Sequence, residues 1–108
     1  MFSIIIPTFE RHDILRRSIE YYKNFNCSVL IADSSAEKLS CKFPGNIIYR
    51  HLPDLSFTEK ILKVAKTITT KYVCMTGDDD FFLESNLRRG SNFLDQNLDF
   101  ISVQGMDL

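Results

Sequence analysis

Three consecutive carboxylates, Asp78, Asp79 and Asp80, stand between an apolar run and two phenylalanines in "YVCMTGDDDFF". Like charges at that range repel, and only water, protonation or a cation relieves them. The plain reading is a solvated turn that caps a following helix, since aspartates suit helix N-termini. One cap needs one aspartate, however, and three packed against an apolar strand are costly. A hard divalent cation, Mg2+ or Mn2+, answers the crowding. Such ions take oxygen ligands, commonly one or two carboxylates, and complete their shell with phosphate and water. Two further polar groups follow apolar runs: Pro7-Thr8-Phe9-Glu10 after "FSIII", and Asp33-Ser34 at the end of "SVLIAD".

Other routes to a metal or a phosphate fit worse. An EF-hand loop needs carboxylates at positions 1, 3 and 5, Gly at 6 and Glu at 12, and "DDDFFLESNLRR" fails at 5, 6 and 12. His12 and His51 lack metal-site spacing and read as ordinary surface or packed histidines. Neither a G-x-x-x-x-G-K-[ST] loop nor a G-x-G-x-x-G fingerprint occurs in the chain. Three cysteines, Cys27, Cys41 and Cys74, give no paired spacing for a disulfide framework or a zinc site. Cys27 and Cys74 read as small core residues, and all three as reduced thiols.

The 108 residues suggest one domain, 1–108, able to bury a core of its own. A composition 44% apolar and 25% charged is that of a globular domain. The net charge of −1 gives no general pull toward nucleic acid or anionic membrane, so any charge-based function is local. The first residues do not read as a signal peptide, because Pro7 and Glu10 interrupt the apolar run and no basic residue precedes it. No run approaches the ~20 apolar residues that span a bilayer.

"FSIII", Phe2 to Ile6, reads as a central strand, apolar on both faces and stopped by Pro7. Ile14, Leu15, Ile19 and Tyr22 then repeat at helical spacing, predicting an amphipathic helix from Asp13 to about Asn24. Ser28 to Asp33 is a second strand. Residues 34–46, with Pro44 and Gly45, read as loop. Asn46 to Leu52 is a third strand. Ser56 and Glu59 form an S-x-x-E capping box, so a helix begins there, with Phe57, Ile61, Leu62, Ala65 and Ile68 as its apolar stripe. "KYVCMT" is a fourth strand. Leu83, Leu87, Leu94 and Leu98 mark a third helix, and "DFISVQG" a fifth strand. Strands separated by helices imply an α/β fold: a mostly parallel, Rossmann-like sheet flanked by helices. Ligands of such sheets bind at the carboxyl ends of the strands. Pro7 to Glu10, Asp33-Ser34 and Gly77 to Asp80 then share one rim.

With those residues in place, "FSIIIPTFERHDILRRSI", "LIADSS" and "YVCMTGDDDF" resemble the N-terminal half of family 2 glycosyltransferases with the GT-A fold. In that family a strand ends in Pro-Thr followed by an aromatic and a basic residue, a second ends in Asp, and a fourth leads into Asp-x-Asp. "IADSS" departs from the usual Asp-Asn/Asp-Gly-Ser. The resemblance covers nearly the whole chain. It implies a GT-A-type nucleotide-binding half, the donor-binding portion of a longer, inverting glycosyltransferase. Pro7, Thr8 and Glu10 would line the nucleotide pocket. Asp33 would bond the base, uracil. Lys60 stands where the family often has a basic residue near the nucleotide, or is a solvated helix lysine. Asp78 and Asp80 match the Asp-x-Asp pair and would be the metal residues, Asp78 also facing ribose or sugar, with Asp79 sharing either role. The implied partners are a UDP-sugar donor, Mg2+ or Mn2+, and a carbohydrate or glycan acceptor. The catalytic base is expected beyond Leu108, because Asp95, Asp99 and Asp107 do not match it.

Two alternatives stand beside this reading. One is a non-catalytic nucleotide- or partner-binding module of the same fold. The other is a receiver-like phosphotransfer domain, which needs an acidic pair after its first strand and meets Pro-Thr-Phe-Glu here instead. Phe81, Phe82 and Phe93 are candidates for an uncovered apolar face, which predicts self-association. The expected location is the cytoplasm, extending to a peripheral position at the inner membrane face.

Overall fold

The fold is that of residues 1–100 in a computed structural model. Four strands and three helices follow one another as β1 (Phe2–Thr8), α1 (His12–Tyr22), β2 (Ser28–Asp33), β3 (Ile47–His51), α2 (Phe57–Ala65), β4 (Tyr72–Met75) and α3 (Glu84–Gln96). The strands form one all-parallel sheet in the order β3-β2-β1-β4. From β1 the chain moves outward through β2 to β3, then returns to place β4 on the other side of β1. The strand order therefore reverses between β1 and β4, where sheets of this kind leave a crevice at their carboxyl ends.

Alternation along β1 and β2 explains why both strands carry apolar residues on both faces. Ile4 and Ile6 of β1, with Val29 and Ile31 of β2, pack against Leu15, Ile19 and Tyr22 of α1, joined by Phe82 and Leu87. Ile5, Leu30 and Ala32 point to the opposite face and meet Val64 of α2 and Leu52. Each face thus has its own core, which is what a two-sided parallel sheet requires. Cys27 is buried in the first core, and its burial pushes the thiol up to about 11.

Several expectations are corrected. β1 does not stop at Pro7 but runs through it to Thr8. The carbonyl of Ile5 faces β4, where it accepts from Thr76, and that of Thr8 faces β2, where it accepts from Ser34. By alternation the missing N–H of Pro7 points to the β4 side, beyond the last ladder pair Ile5–Met75, so no bond is lost. α2 begins at the Ser56 capping box as expected. It nevertheless turns Lys60 and Val64 inward and leaves Phe57 and Leu62 57% and 56% exposed. Ile61, Ala65 and Ile68 do pack on the second core. In α3, Leu94 is buried, but Leu83 and Leu98 lie outside the helix and are exposed. β4 is one of the two edge strands among the described residues, and its Val73 and Met75 are also exposed. The fifth strand expected in "DFISVQG" falls, beyond Phe100, outside the described residues. Among the described residues no helix is long and apolar enough to cross a membrane.

The rotation of α2 is testable by truncation. Val64→Ala is expected to cost about 2 kcal/mol, the transfer energy of its buried methyl groups plus the cavity left behind. Leu62→Ala should change stability by no more than ~0.5 kcal/mol. Urea unfolding of both variants separates the observed helix face from the expected one.

Candidate functional site

The three polar segments meet at the carboxyl end of the sheet. Thr8, buried as the last residue of β1, donates through Oγ1 to Oδ2 of Asp78 at 2.8 Å. Nη1 of Arg11 lies 3.0 Å from the other oxygen, Oδ1. The same guanidinium reaches Oδ2 of Asp79 at 3.5 Å through Nη2. Asp78 is therefore buried with both oxygens engaged. The triplet is not a helix cap: α3 starts only at Glu84, and its N-cap residue, Leu83, makes no side-chain capping bond. Instead, α1 holds the backbone of the acidic loop. Ser18 Oγ donates to the Asp78 carbonyl and Tyr21 to that of Phe82, while the Tyr22 hydroxyl accepts from the Phe82 N–H.

Asp79 and Asp80 are exposed. Their carboxylates converge over Gly77, where an added Cβ would meet Asp79 Oδ1 at 3.2 Å and Asp80 Oδ2 at 3.4 Å. The Asp80 side chain makes no hydrogen bond among the described residues, so its oxygens face outward unclaimed. Also among the described residues, no three His, Cys, Asp or Glu side chains form a metal cage. The two carboxylates over Gly77 are nonetheless an all-oxygen pair of the kind that a hard divalent ion takes together with phosphate and water. By that donor chemistry the loop would suit Mg2+ or Mn2+, with Asp80 unpaired among the described residues, Asp79 held only by Arg11 at 3.5 Å, and Asp78 already committed.

Asp33 is a buried hub. Its Oδ1 accepts from the Ser35 N–H at 2.9 Å and from the Ser35 hydroxyl; its Oδ2 accepts from Tyr49 and from His12 Nε2 at 3.1 Å. Burial alone would push the carboxyl up, but these bonds outweigh it and hold Asp33 below the ordinary carboxylate range. Burial, and then the bond to Asp33, push Tyr49 well above the usual phenol range. Two oxygens with four donors leave no free lone pair, so Asp33 positions its neighbours in this arrangement and offers nothing to a base.

Lys60 is buried rather than solvated. Its Nζ donates to the Thr8 carbonyl at 2.8 Å and to Ser34 Oγ at 2.9 Å, tying the ends of β1 and β2 from beneath. Burial lowers its pKa, against the attraction of Asp33 and Asp78. Glu10 adopts a left-handed backbone, φ 52°, which costs a non-glycine residue about 1 kcal/mol. It is held there by its N–H on Ser35 Oγ and by its carboxylate, which accepts from the Ala36 N–H. Pro7 lies one residue before Thr8 in β1, paired with Ala32.

All eight expected positions, Pro7, Thr8, Glu10, Asp33, Lys60, Asp78, Asp79 and Asp80, thus lie along one rim. Thr8 is bonded directly to both Asp78 and Lys60, whereas Asp33 stands apart with its own partners. Arg11, His12, Ser35 and Tyr49 were not among the expected residues. Arg11 was visible as the cation that follows Phe9-Glu10 in the rim loop. Tyr49 carried no signal beyond its place in an apolar strand. A hollow of about 640 Å3 on the outer side of α1, lined by Arg16, Arg17, Glu20, Tyr21 and Phe81, includes none of these rim residues. No protein-family model and no curated protein matches the chain.

The hub has a pH signature. A carboxyl held lower in the folded state stabilises the fold above its unfolded value, near 3.8, and that contribution is lost as pH falls through the folded value. Urea midpoints of the wild type should therefore fall below about pH 4. Asp33→Asn should lose ~2 kcal/mol at neutral pH and show a flatter decline in acid. Equal acid slopes in the two proteins would exclude the hub.

Proposed function

We propose that the chain is the donor-binding part of a glycosyltransferase of the family 2, GT-A type, which takes a nucleotide-diphospho-sugar, a UDP-sugar, for transfer with inversion to a carbohydrate or glycan acceptor. The observation that carries this reading is the meeting of Thr8 and Asp78 at the point where strand order reverses, with Asp79 and Asp80 exposed over Gly77. A ligand anchored there would lie across the ends of β1 and β4, as ligands of open parallel sheets do.

The roles follow from the contacts. Asp80 and Asp79 would hold Mg2+ or Mn2+, and Asp78 would orient Thr8 and Arg11 rather than coordinate directly. When bound, the ion supplies charge neutralisation and Lewis-acid assistance for the departing nucleoside diphosphate. Arg11 adds a guanidinium whose planar fork suits phosphate oxygens. Lys60 keeps the Thr8 and Ser34 segments in register beneath the nucleotide. Glu10 and Pro7 shape the loop on the nucleotide side, and Asp33 fixes Ser35, His12 and Tyr49 along it. The general base for the acceptor hydroxyl is assigned to none of these residues.

A second reading, a nucleotide- or partner-binding module without turnover, is favoured by the internal saturation of Asp33 and Asp78. Both readings suit a cytoplasmic protein. In both, exposed apolar side chains, Phe81 and Phe93 and, toward the α2 side of β4, Val73 and Met75, are available for self-association. Phe82, also a candidate for that surface, instead packs on the first core.

Calorimetry with UDP, with and without Mn2+, tests the donor site. Binding should require Mn2+ and weaken about tenfold or more in Asp80→Ala, as expected for loss of a charged ligand. Metal-independent binding, or none, would remove the proposal. Transfer or hydrolysis of a labelled UDP-sugar separates the enzyme from the binding module. Sedimentation at several concentrations should show an average mass that rises with concentration if the apolar surface associates.

A further inference from the structure

We infer that Arg11 is a resident counter-ion of the acidic loop, placed so that it competes with a divalent cation and assists a diphosphate. This rests on the donor-site reading above and adds a regulation of that site. One guanidinium spans two of the three carboxylates, Asp78 at 3.0 Å and Asp79 at 3.5 Å. It therefore occupies part of the electrostatic position that an external cation would take. The placement is also built. Arg11 is the N-cap residue of α1, though its side chain makes no capping bond. It follows Glu10, whose left-handed backbone is clamped by Ser35 and Ala36, and Ser35 is held in turn by Asp33. The hub on β2 thus aims the arginine at the loop after β4.

Opposite effects on two ligands follow. A divalent ion at Asp79 and Asp80 meets the positive charge of Arg11 nearby and shares Asp79 with it, so the arginine weakens metal binding. A diphosphate arriving at the same rim carries the opposite charge, so the arginine strengthens its binding. Arg11 is 43% exposed, and solvent moderates both effects. Its exposure also leaves the guanidinium room to turn from the carboxylates to phosphate oxygens. Metal and diphosphate together would relieve the loop of its own arginine.

The test uses MnCl2 alone and inorganic pyrophosphate without metal, titrated calorimetrically into the wild type, Arg11→Gln and Arg11→Lys, with circular dichroism to verify folding. Arg11→Gln should bind Mn2+ roughly tenfold more tightly and pyrophosphate several-fold more weakly. Arg11→Lys, which keeps the charge but not the fork, should fall between the two. A merely structural arginine would weaken both ligands together, and that result overturns the inference. Equal Mn2+ affinity in all three proteins overturns it while leaving the metal site standing. Absence of Mn2+ binding in every protein removes the donor-site reading and the inference with it.

Discussion

A buried carboxylate needs partners, and the site is organised around that need. Asp78 lies at the tip of β4 with almost no access to water, flanked by two more aspartates. An unpaired charge there would be costly. Thr8 satisfies one of its oxygens from the end of β1, and Arg11 the other from the start of α1. The two bonds draw together segments 70 and 67 residues apart, across the point where strand order reverses. The net worth of such a half-exposed ion pair is modest, but removing either partner alone leaves the other uncompensated.

A second network extends the same logic to β2. Asp33 accepts four hydrogen bonds and thereby fixes Ser35, Tyr49 and His12. Ser35 holds Glu10 in a backbone conformation it would not choose alone, and Glu10 leads directly into Arg11. Lys60 bridges the ends of β1 and β2 from below. Of the triplet, the Asp80 side chain alone remains outside these networks among the described residues, and Asp79 is tied only to Arg11. The rim is thus a hydrogen-bonded frame bearing a few exposed charges.

Much of this frame was legible in the residues. β2 could be read to its last residue because a β-branched apolar run ends in Asp33 and is followed by two serines. The start of α2 followed from the Ser56 and Glu59 box. The common rim followed from the alternation of strands and helices. Other features depended on tertiary facts. Pro7 reads as a stop, but β4 ends before its N–H would be needed. Leu62 and Val64 are both apolar, and only packing on Ala32 and Leu52 decides that Val64 faces inward. The crowding of the aspartates was evident, and a cation was the expected remedy. That the remedy includes the chain's own Arg11 depended on the turn at Glu10, whose left-handed backbone no side chain announces. Asp33 was expected to face a ligand; its donors come from β3, α1 and its own loop, and only the folded chain assembles them.

The most direct test is a double-mutant cycle on Arg11 and Asp78. Urea unfolding free energies of Arg11→Ala, Asp78→Asn and the double variant isolate the coupling between guanidinium and carboxylate. Because the arginine is half exposed, a coupling of about 1 kcal/mol is expected, shrinking at high salt. Additivity within ~0.3 kcal/mol at low salt would contradict the account, because the carboxylate at the tip of β4 would then be held without its internal cation.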